Sequence, residues 1–411
     1  MFAILLAAAA LAGQPTIAPD VQARIDRILS QTPLIDGHND LPYAVRNKRG
    51  YAVEGLEAGQ EDLQTDFARL DEGRVGGQLW SVYISASVTG DEAIRETIEQ
   101  IDVADRLIEA YPANLEWAMT ADEIERVHAE GKIASLLGVE GGHQIGGSLA
   151  ALRQYRNLGA IYMTLTHGAT TGWADSATDE AKHDGLAPFG VEVVKEMNRI
   201  GMLVDLSHVS PAAMHDALDA TAAPVIFSHS SARGVTDHPR NVPDDVLERL
   251  KDNGGLVMVT FVPSFVNEGA RAFGAAAQAE MKRIEEAYPL IDGEPDPQAR
   301  AAWEAWLAAN PAPKATVKDV ADHVEHVARV AGHDHVGIGG DYDGIPFGPE
   351  GLEDVSTYPN LFAELIARGW SDENLAKLAG GNFLRVLRGA EKVADDMEGT
   401  PGSLDKPAME D

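Results

Sequence analysis

The sequence predicts an α/β protein in which eight parallel strands and their surrounding helices close into a (β/α)8 or TIM barrel. Short apolar runs bounded by glycine and polar residues recur along the chain, as is typical of buried parallel strands. Patterns with helical spacing lie between these runs. Six of the runs stop on a histidine or an acid, at the strand end where a barrel of this kind builds its active site.

The eight predicted strands follow one another from the first third of the chain to its end. Six of them lead into 36–40, Glu140, His167, His208, His229 and Asp341, and the runs 78–85 and 255–261 complete the set. The strands start near residues 33, 78, 133, 160, 202, 224, 255 and 335. The helical patterns between them cover 91–110, 148–158, 190–200, 211–219, 243–253 and 317–331. Proline at 211 and 243 fits the first turn of a helix.

Two stretches interrupt the alternation of strand and helix. The insert 54–74 is irregular, whereas 266–316 is rich in alanine, glutamate and arginine and has a turn at 289–297. The second stretch therefore predicts extra helices between the seventh and eighth strands. Because the sequence shows no internal repeat and no low-complexity linker, we expect one barrel domain over 20–390. The acidic residues 391–411 are expected to form a loose tail.

The composition excludes several functional classes. Among 411 residues there are 33 basic and 65 acidic ones, for a net charge of −32. No cluster of lysine and arginine could form a basic face, so the chain is not expected to bind nucleic acid. It contains no cysteine, which excludes disulfides, thiolate catalysis and cysteine zinc sites. Any metal must therefore be held by histidine and carboxylate.

The first twelve residues predict export. They are almost entirely apolar, and Ala10-Leu11-Ala12 fits the small-x-small cleavage pattern. The run is too short to span a bilayer, and the first basic residue is Arg24. We expect 1–12 to be a signal peptide of an exported, periplasmic or secreted protein. The alternative is a cytoplasmic protein with a wrongly assigned start codon. The acidic tail offers no lipid-anchor signal, so no membrane anchor is evident.

Five strand-end side chains predict a metal site. His38 and Asp40 lie two residues apart on an extended chain, so both point the same way. His208 and His229 end neighbouring strands, and the carboxylate of Glu140, at the end of the third strand, can bridge two ions. Five such ligands are too many for one tetrahedral catalytic site. They suit two divalent ions about 3.5–4 Å apart.

Other histidines are not expected to be ligands. His333 and His335 precede the last strand, on the barrel face associated with stability. His323 and His326 share a helix face but lack the H-E-x-x-H spacing of a zinc helix, so they predict a solvated surface.

Seven motifs together resemble the renal (membrane) dipeptidase family, whose members are zinc-dependent, amidohydrolase-like barrels. They run in unbroken order from about residue 33 to about residue 387. The motifs are DGHNDLP at 36–42, EGGH at 140–143, LTH at 165–167, DLSHVS at 205–210, SHSSA at 228–232, HPRN at 238–241 and GGDYDG at 339–344. Motifs of this length are specific, so the resemblance implies a TIM barrel of the metal-dependent hydrolase type.

The resemblance also implies roles for individual residues. Two zinc ions are expected, one on His38 and Asp40 and the other on His208 and His229, with Glu140 bridging them. It further implies that His167 contacts the scissile carbonyl, Arg240 binds the substrate carboxylate and Asp341 transfers protons. The residues expected to be catalytic are thus Asp341, His167 and Glu140, and those expected to bind substrate are Arg240 and His167.

These roles agree with elementary chemistry. A hydroxide between two metal ions is a strong nucleophile at neutral pH, and Asp341 is placed to pass its proton to the leaving amine. His167 can donate a hydrogen bond to the developing oxyanion. The planar fork of Arg240 matches a carboxylate, so it would bind a free carboxyl terminus.

The sequence therefore predicts a zinc-dependent metallo-dipeptidase that hydrolyses dipeptides through a metal-bridging hydroxide. Family analogy adds substrates with a carboxyl-terminal D-residue and suggests a homodimer. The chain has neither the cysteines nor the lipid-anchoring tail of mammalian members, so covalent dimerisation and anchoring are not implied. Two alternatives remain: a di-metal amidase or lactonase acting on another small substrate, and a metal-binding barrel without turnover.

Overall fold

Residues 17–289 and 296–404, which the computed structural model describes, contain nine strands and sixteen α-helices. The strands are β1 (Leu34–Asn39), β2 (Val75–Tyr83), β3 (Leu115–Trp117), β4 (Ile133–Glu140), β5 (Ala160–Thr164), β6 (Leu203–Asp205), β7 (Ile226–Phe227), β8 (Leu256–Val259) and β9 (Val336–Ile338). The helices are α1 (Pro19–Gln31), α2 (Leu41–Arg49), α3 (Phe67–Glu72), α4 (Gly90–Ala110), α5 (Ala121–Ala129), α6 (Leu149–Asn157), α7 (Pro188–Arg199), α8 (Pro211–Ala220), α9 (Asp244–Asn253), α10 (Pro263–Val266), α11 (Glu268–Ala287), α12 (Pro297–Ala309), α13 (Val317–Val330), α14 (Tyr358–Ala367), α15 (Asp372–Ala376) and α16 (Asn382–Asp396).

Eight of the strands close into the predicted barrel. Their order around the ring is β2-β1-β9-β8-β7-β6-β5-β4, and β4 pairs back onto β2. This closing ladder is parallel and runs from the pair Gly77 and Ala134 to the pair Tyr83 and Glu140. Because all eight strands run in the same direction, their carboxyl ends meet at one mouth. The predicted fold is confirmed.

The ninth strand, β3, was not predicted. It pairs with the first residues of β4, from Ile133 to Ser135, whereas β5 pairs with β4 from Leu137 to Glu140. Since β2 occupies the other edge of β4, β3 and β5 share the remaining edge one after the other. β3 is therefore a short addition at the amino-terminal end of the barrel. With only three residues, it is too short for a periodic pattern to reveal.

The helices fall close to their predicted ranges. All six predicted helical patterns correspond to helices, namely α4, α6, α7, α8, α9 and α13. Ser148 and Ser210 cap α6 and α8, because their side chains accept hydrogen bonds from the backbone of Ala151 and Ala213. The extra helices predicted between the last two barrel strands are α10, α11 and α12.

The carboxyl-terminal boundary lies later than predicted. A loose tail was expected from residue 391, but α16 continues to Asp396, and Val393 beyond that boundary packs against the core residues that include Leu387 and Ala390. Beyond this helix, Arg153 Nη1 donates a hydrogen bond to the carbonyl oxygen of Ser403 at 3.2 Å.

The predicted signal peptide, 1–12, lies outside the described residues. Within the described ranges, no helix is both long and apolar enough to cross a membrane.

Below the mouth, a tyrosine ring fills the space that a glycine leaves open in the barrel interior. A Cβ atom at Gly138 in β4 would lie 1.8 Å from Cζ of Tyr162 in β5. Tyr162 is fully buried, and its hydroxyl oxygen is 3.0 Å from Nδ1 of His38. The missing side chain at 138 therefore makes room for a ring that reaches under a predicted metal ligand.

The substitution Gly138→Ala should destabilise the protein by about 1–3 kcal/mol, the usual cost of overpacking a core. The free energy of unfolding, measured in urea, tests this. Gly274→Ala in α11 is the matched control, because a Cβ there meets no atom within 4 Å. In a helix alanine is favoured over glycine by about 1 kcal/mol, so this variant should keep or gain stability. Equal effects of the two substitutions would contradict this account of the barrel interior.

Candidate active site

The five predicted metal ligands meet at the carboxyl-terminal mouth of the barrel. His38 lies at the end of β1, with Asp40 just after it, and Glu140 is the last residue of β4. His208 and His229 follow β6 and β7. All five are buried, and the most exposed of them, His208, is only 9% exposed. The structure thus brings together every residue that was predicted to bind metal.

One carboxylate oxygen lies at the centre of this group. The Nε2 atoms of His208 and His229 are 3.0 Å and 3.3 Å from Oε1 of Glu140. Those of His38 and His167 each lie 3.6 Å from the same oxygen. Four imidazoles from four strand ends therefore surround Glu140.

The ligand atoms form overlapping sets rather than one closed cage. Three groups of three have donor atoms that all lie within 4.8 Å of one another. They are His38 with Glu140 and His229, Glu140 with His167 and His208, and His38 with Asp40 and Asp341. Two of the three groups share Glu140, so the predicted bridging position fits this arrangement. The assignment of each ligand to one of two ions stays a prediction.

The donor atoms fit divalent metal ions. Among residues 17–289 and 296–404, His38 Nε2 and Asp40 Oδ1 have no hydrogen-bond partner although both atoms are buried. Burial lowers the pKa of His208 and of His229 well below the usual range, so both imidazoles are neutral. Neutral imidazole nitrogen and carboxylate oxygen are the ligands that zinc-like ions prefer.

Hydrogen bonds on the far side of two imidazoles orient them toward Glu140. His229 Nδ1 is 2.8 Å from Ser228 Oγ, which donates a hydrogen bond to Asp205 Oδ2 at 2.6 Å. His38 Nδ1 faces the hydroxyl group of Tyr162 in the same way. Such contacts fix the tautomer and ring orientation of a metal ligand. Tyr162 was not singled out in the sequence, because an aromatic residue inside a strand looks like ordinary core.

The backbone is strained at two of the strand ends. His208 has φ 69° and Asp341 has φ 65°, both in the left-handed region. A residue held there costs about 1–3 kcal/mol, and such residues cluster at active sites. Asp341 is held in place because its backbone N–H donates a hydrogen bond to the carbonyl oxygen of His38 at 3.0 Å. This contact places the Asp341 carboxylate beside His38 and Asp40.

Asp341 has the acidity that a proton-transfer group needs. Burial raises the pKa of its carboxyl group to about 7. A carboxyl group that titrates near neutrality can accept a proton and return it within one catalytic cycle. The position therefore agrees with the role that was predicted for this residue.

His167 lies at the rim of the group. Its ring packs against those of Tyr83 and His208, with centroids 4.7 Å and 4.3 Å away. Burial, followed by the nearby charge of Arg240, lowers the pKa of His167 to about 3. A neutral imidazole can donate an N–H to a developing oxyanion. Tyr83, the last residue of β2, escaped the sequence interpretation because only histidines and acids were sought at strand ends.

Arg240 is a buried cation without a charged partner. It is 4% exposed, and burial lowers the pKa of its guanidinium to about 10. Its Nη atoms reach only Ser230 Oγ and the carbonyl oxygen of His229, both at 3.4 Å. The guanidinium carbon lies 5.4 Å from the centre of the Phe265 ring. None of the described carboxylates forms an ion pair with Arg240. Asp341, Glu140 and Asp205 act on its charge only from farther away, so the guanidinium has no direct anionic partner among the described residues.

Metal binding should release protons at neutral pH. Burial raises the pKa of Glu140 to about 8. For His38, burial would lower the pKa, but the carboxylates of Glu140 and Asp40 raise it to about 10. The pair, 3.6 Å apart, therefore holds a proton that a metal ion must displace.

Isothermal titration calorimetry of the metal-free protein, in buffers with different heats of ionisation, measures this release. The affinity for a divalent ion should also rise with pH through about 8, the pKa of Glu140, and level off only at about 10, the pKa of His38. Binding without proton release, at an affinity that does not change with pH, would contradict the protonation of this pair.

Two curated dipeptidases are similar to the chain over most of its length. The dipeptidase tcpJ of Claviceps purpurea is 42% identical over 375 residues, which cover 89% of this chain and 78% of that protein. The uncharacterized dipeptidase C3A11.10c of Schizosaccharomyces pombe is 40% identical over 388 residues, which cover 91% of this chain and 85% of that protein.

Solved structures share the fold. The probable dipeptidase PvdM from Pseudomonas aeruginosa superposes with a TM-score of 0.77 at 24% identity, covering 92% of this chain and 100% of that one. A metallopeptidase from Rhodobacter sphaeroides, liganded with a phosphinate mimic of the dipeptide L-Ala-D-Ala, has a TM-score of 0.71 at 23% identity. That match covers 88% of this chain and 99% of the other. At these identities the likeness shows the barrel fold.

The match to a family model extends over nearly the whole chain. Residues 22–400 match the model of the membrane dipeptidases, peptidase family M19. This range contains all the predicted site residues, from His38 to Asp341. The resemblance seen in the sequence motifs is confirmed, and the chain belongs to the membrane dipeptidase family.

Proposed function

We propose that the protein is a dipeptidase that binds two zinc ions and hydrolyses dipeptides with a free carboxyl terminus. The observation that carries this proposal is Arg240, a buried cation beside the candidate metal ligands that forms no direct ion pair with any described carboxylate. Membership of a metal-dependent peptidase family and the likeness to two curated dipeptidases support it. The phosphinate dipeptide mimic bound by the Rhodobacter relative supports a dipeptide-sized substrate.

The environment of Arg240 favours an anionic substrate. An isolated charge in a protein interior is costly unless it is paired and hydrogen-bonded. Two weak contacts to neutral oxygens at 3.4 Å do not meet that need, whereas a carboxylate would meet it with two parallel hydrogen bonds. An amide or lactone without a carboxylate would leave the charge of Arg240 unmatched, which argues against the alternative substrates.

The ring order of the strands supports one direction for the substrate across the mouth. Arg240 is in the segment between β7 and α9, and Tyr83 ends β2. β2 and β7 are separated by three strands on either side, so they lie opposite each other across the mouth. A dipeptide whose carboxylate binds Arg240 would place its peptide bond near Glu140 and its amino-terminal residue near Tyr83. Tyr43, whose ring is 4.7 Å from that of Tyr83, extends this aromatic wall.

The proposed mechanism divides the work among three side chains. Bound metal ions would supply Lewis-acid chemistry, by activating a water molecule and polarising the scissile carbonyl group. Asp341 accepts a proton from the attacking water and returns it to the nitrogen of the leaving amine. His167 donates an N–H hydrogen bond to the carbonyl oxygen as negative charge develops there. Arg240 holds the carboxylate of the leaving amino acid, which keeps the peptide bond in register with Asp341.

Zinc-loaded protein should release amino acids from dipeptides, including dipeptides with a carboxyl-terminal D-residue. Because Asp341 transfers the proton, Asp341→Asn should lower kcat by about 10²–10⁴-fold. Steady-state kinetics measures the effect, and metal analysis of both proteins serves as the control, since the zinc content should stay equal. Undiminished kcat in the variant, or no hydrolysis of any dipeptide by the wild-type protein, would contradict the proposal.

The substitution Arg240→Met should raise KM for a dipeptide but not for the same dipeptide with an amidated carboxyl terminus. Removing one partner of a buried charge pair costs about 2–5 kcal/mol, and only the free carboxylate forms this pair. The ratio of kcat/KM between the two substrates, measured for wild type and variant, reports the interaction. If wild type hydrolyses both substrates equally well, Arg240 does not bind a carboxylate.

A further inference from the structure

Two histidines on α13, His323 and His326, are buried and not solvated as the sequence pattern predicted. His323 is 0% exposed and His326 is 6% exposed. His323 hydrogen-bonds Ala232 and lies 3.3 Å from Thr236 Oγ1, and the His326 ring packs against Gly234, where a Cβ atom would lie 2.5 Å from its Cε1. These partners belong to the segment 231–242, which follows β7 and contains Arg240; we call this segment the arginine loop. The expectation of a solvated face was wrong because this loop covers that face of α13.

His323 is held in one tautomer by its partners. Its Nδ1 accepts a hydrogen bond from the backbone N–H of Ala232 at 3.0 Å, so Nδ1 carries no proton. The ring proton is therefore on Nε2, which lies 3.2 Å from the carbonyl oxygen of Val266 and 3.3 Å from Thr236 Oγ1. Burial lowers the pKa of His323 to about 4, which keeps the ring neutral. One imidazole thus joins α13, the arginine loop and the end of α10.

The contact with Val266 also links His323 to the ring that packs against Arg240. Val266 follows Phe265, whose ring is stacked on that of His238 at 4.2 Å and lies 5.4 Å from the Arg240 guanidinium carbon. Asn241 reinforces this link, since its Nδ2 donates a hydrogen bond to the carbonyl oxygen of Phe265 at 2.7 Å. His323 therefore acts on the surroundings of Arg240 from both sides, through the arginine loop and through α10.

Arg240 depends on this frame because its own contacts are weak. Its guanidinium makes two hydrogen bonds, both 3.4 Å long, and forms no ion pair with a described residue. Long contacts of this kind contribute little to fixing a side chain. The position of the guanidinium is therefore determined mainly by the backbone of the arginine loop and by the Phe265 ring.

We propose that His323 is a positioning residue for carboxylate recognition, which holds the arginine loop and Phe265 so that Arg240 faces the metal ligands. The inference rests on the proposed function, in which Arg240 binds the substrate carboxylate. His323 itself touches neither the metal ligands nor the place of the peptide bond.

The substitution His323→Asn tests the proposal. The Asn Oδ1 can take the place of Nδ1 and accept from Ala232, but the Asn Nδ2 falls too far short of the Nε2 position to donate to the carbonyl oxygen of Val266. We expect KM for a dipeptide to rise by roughly 10- to 10²-fold, because a misplacement of about 1 Å caused by a distant mutation can cost about 10²-fold. The kcat for that dipeptide and the KM for its carboxyl-terminal amide should change little. His323→Gln, whose amide nitrogen can reach the position of Nε2, should restore part of the affinity.

His326→Asn is the matched control. His326 lies on the same helix, but its Nε2 is 2.7 Å from Asp244 Oδ1 and its Nδ1 is 2.7 Å from Arg329 Nη2, and neither described hydrogen bond reaches α10. This variant should keep the wild-type KM for the dipeptide.

A double variant tests whether His323 acts through Arg240. In the Arg240→Met background, His323→Asn should cause no further rise in KM, since the two residues act through one interaction.

The outcomes separate the two proposals. If wild type prefers the dipeptide over its amide and His323→Asn retains that preference, the role of His323 is overturned while the proposed function stands. Equal increases in KM from His323→Asn and His326→Asn would likewise show a structural role only. If wild type shows no preference for the free carboxylate, the proposed function and the inference built on it both fail.

Discussion

The Oε1 atom of Glu140 is the point on which the rest of the site depends, because four histidine Nε2 atoms lie within 3.6 Å of it. Lone pairs and negative charge concentrated in a buried place are unfavourable unless protons or metal ions balance them. The four imidazoles come from the ends of four different strands, so the barrel must keep those ends aligned. Hydrogen bonds below the mouth keep the ligands aligned. The Tyr162 hydroxyl group contacts His38 Nδ1, and Ser228, itself hydrogen-bonded to Asp205, contacts His229 Nδ1.

The same principle explains the other half of the site. Arg240 carries a buried positive charge opposite Tyr83 across the mouth, and no described carboxylate forms an ion pair with it. A buried charge without an ion-pair partner can make a site selective, because a ligand that pairs with the charge binds far more tightly than a ligand that does not. The protein holds this charge in place through the arginine loop and α10, with His323 between them. Metal binding and substrate binding thus depend on the same principle. The folded protein buries the carboxylate of Glu140 and the guanidinium of Arg240, and the bound ligands balance these charges.

Much of this could be predicted from residues that lie at strand ends. A histidine or an acid after a buried run carries both structural and chemical information. The sequence therefore predicted that His38, Glu140, His208, His229 and Asp341 would meet at one mouth, as they do. Contacts between distant segments could not be predicted. The fit of the Tyr162 ring against Gly138 depends on the register of two strands, and the burial of His323 depends on a loop that is 87 residues away at Thr236. The left-handed backbone of His208 and Asp341 likewise leaves no mark in the sequence.

A crystal structure of the zinc-loaded protein with a non-hydrolysable phosphinate dipeptide would test the central claim most directly. Anomalous diffraction at the zinc edge should show two peaks about 3.5–4 Å apart, one on either side of the Glu140 carboxylate. The ligand's carboxylate should lie on Arg240, with its amino-terminal residue toward Tyr83. A single peak, peaks away from Glu140, or a ligand carboxylate far from Arg240 would contradict the account.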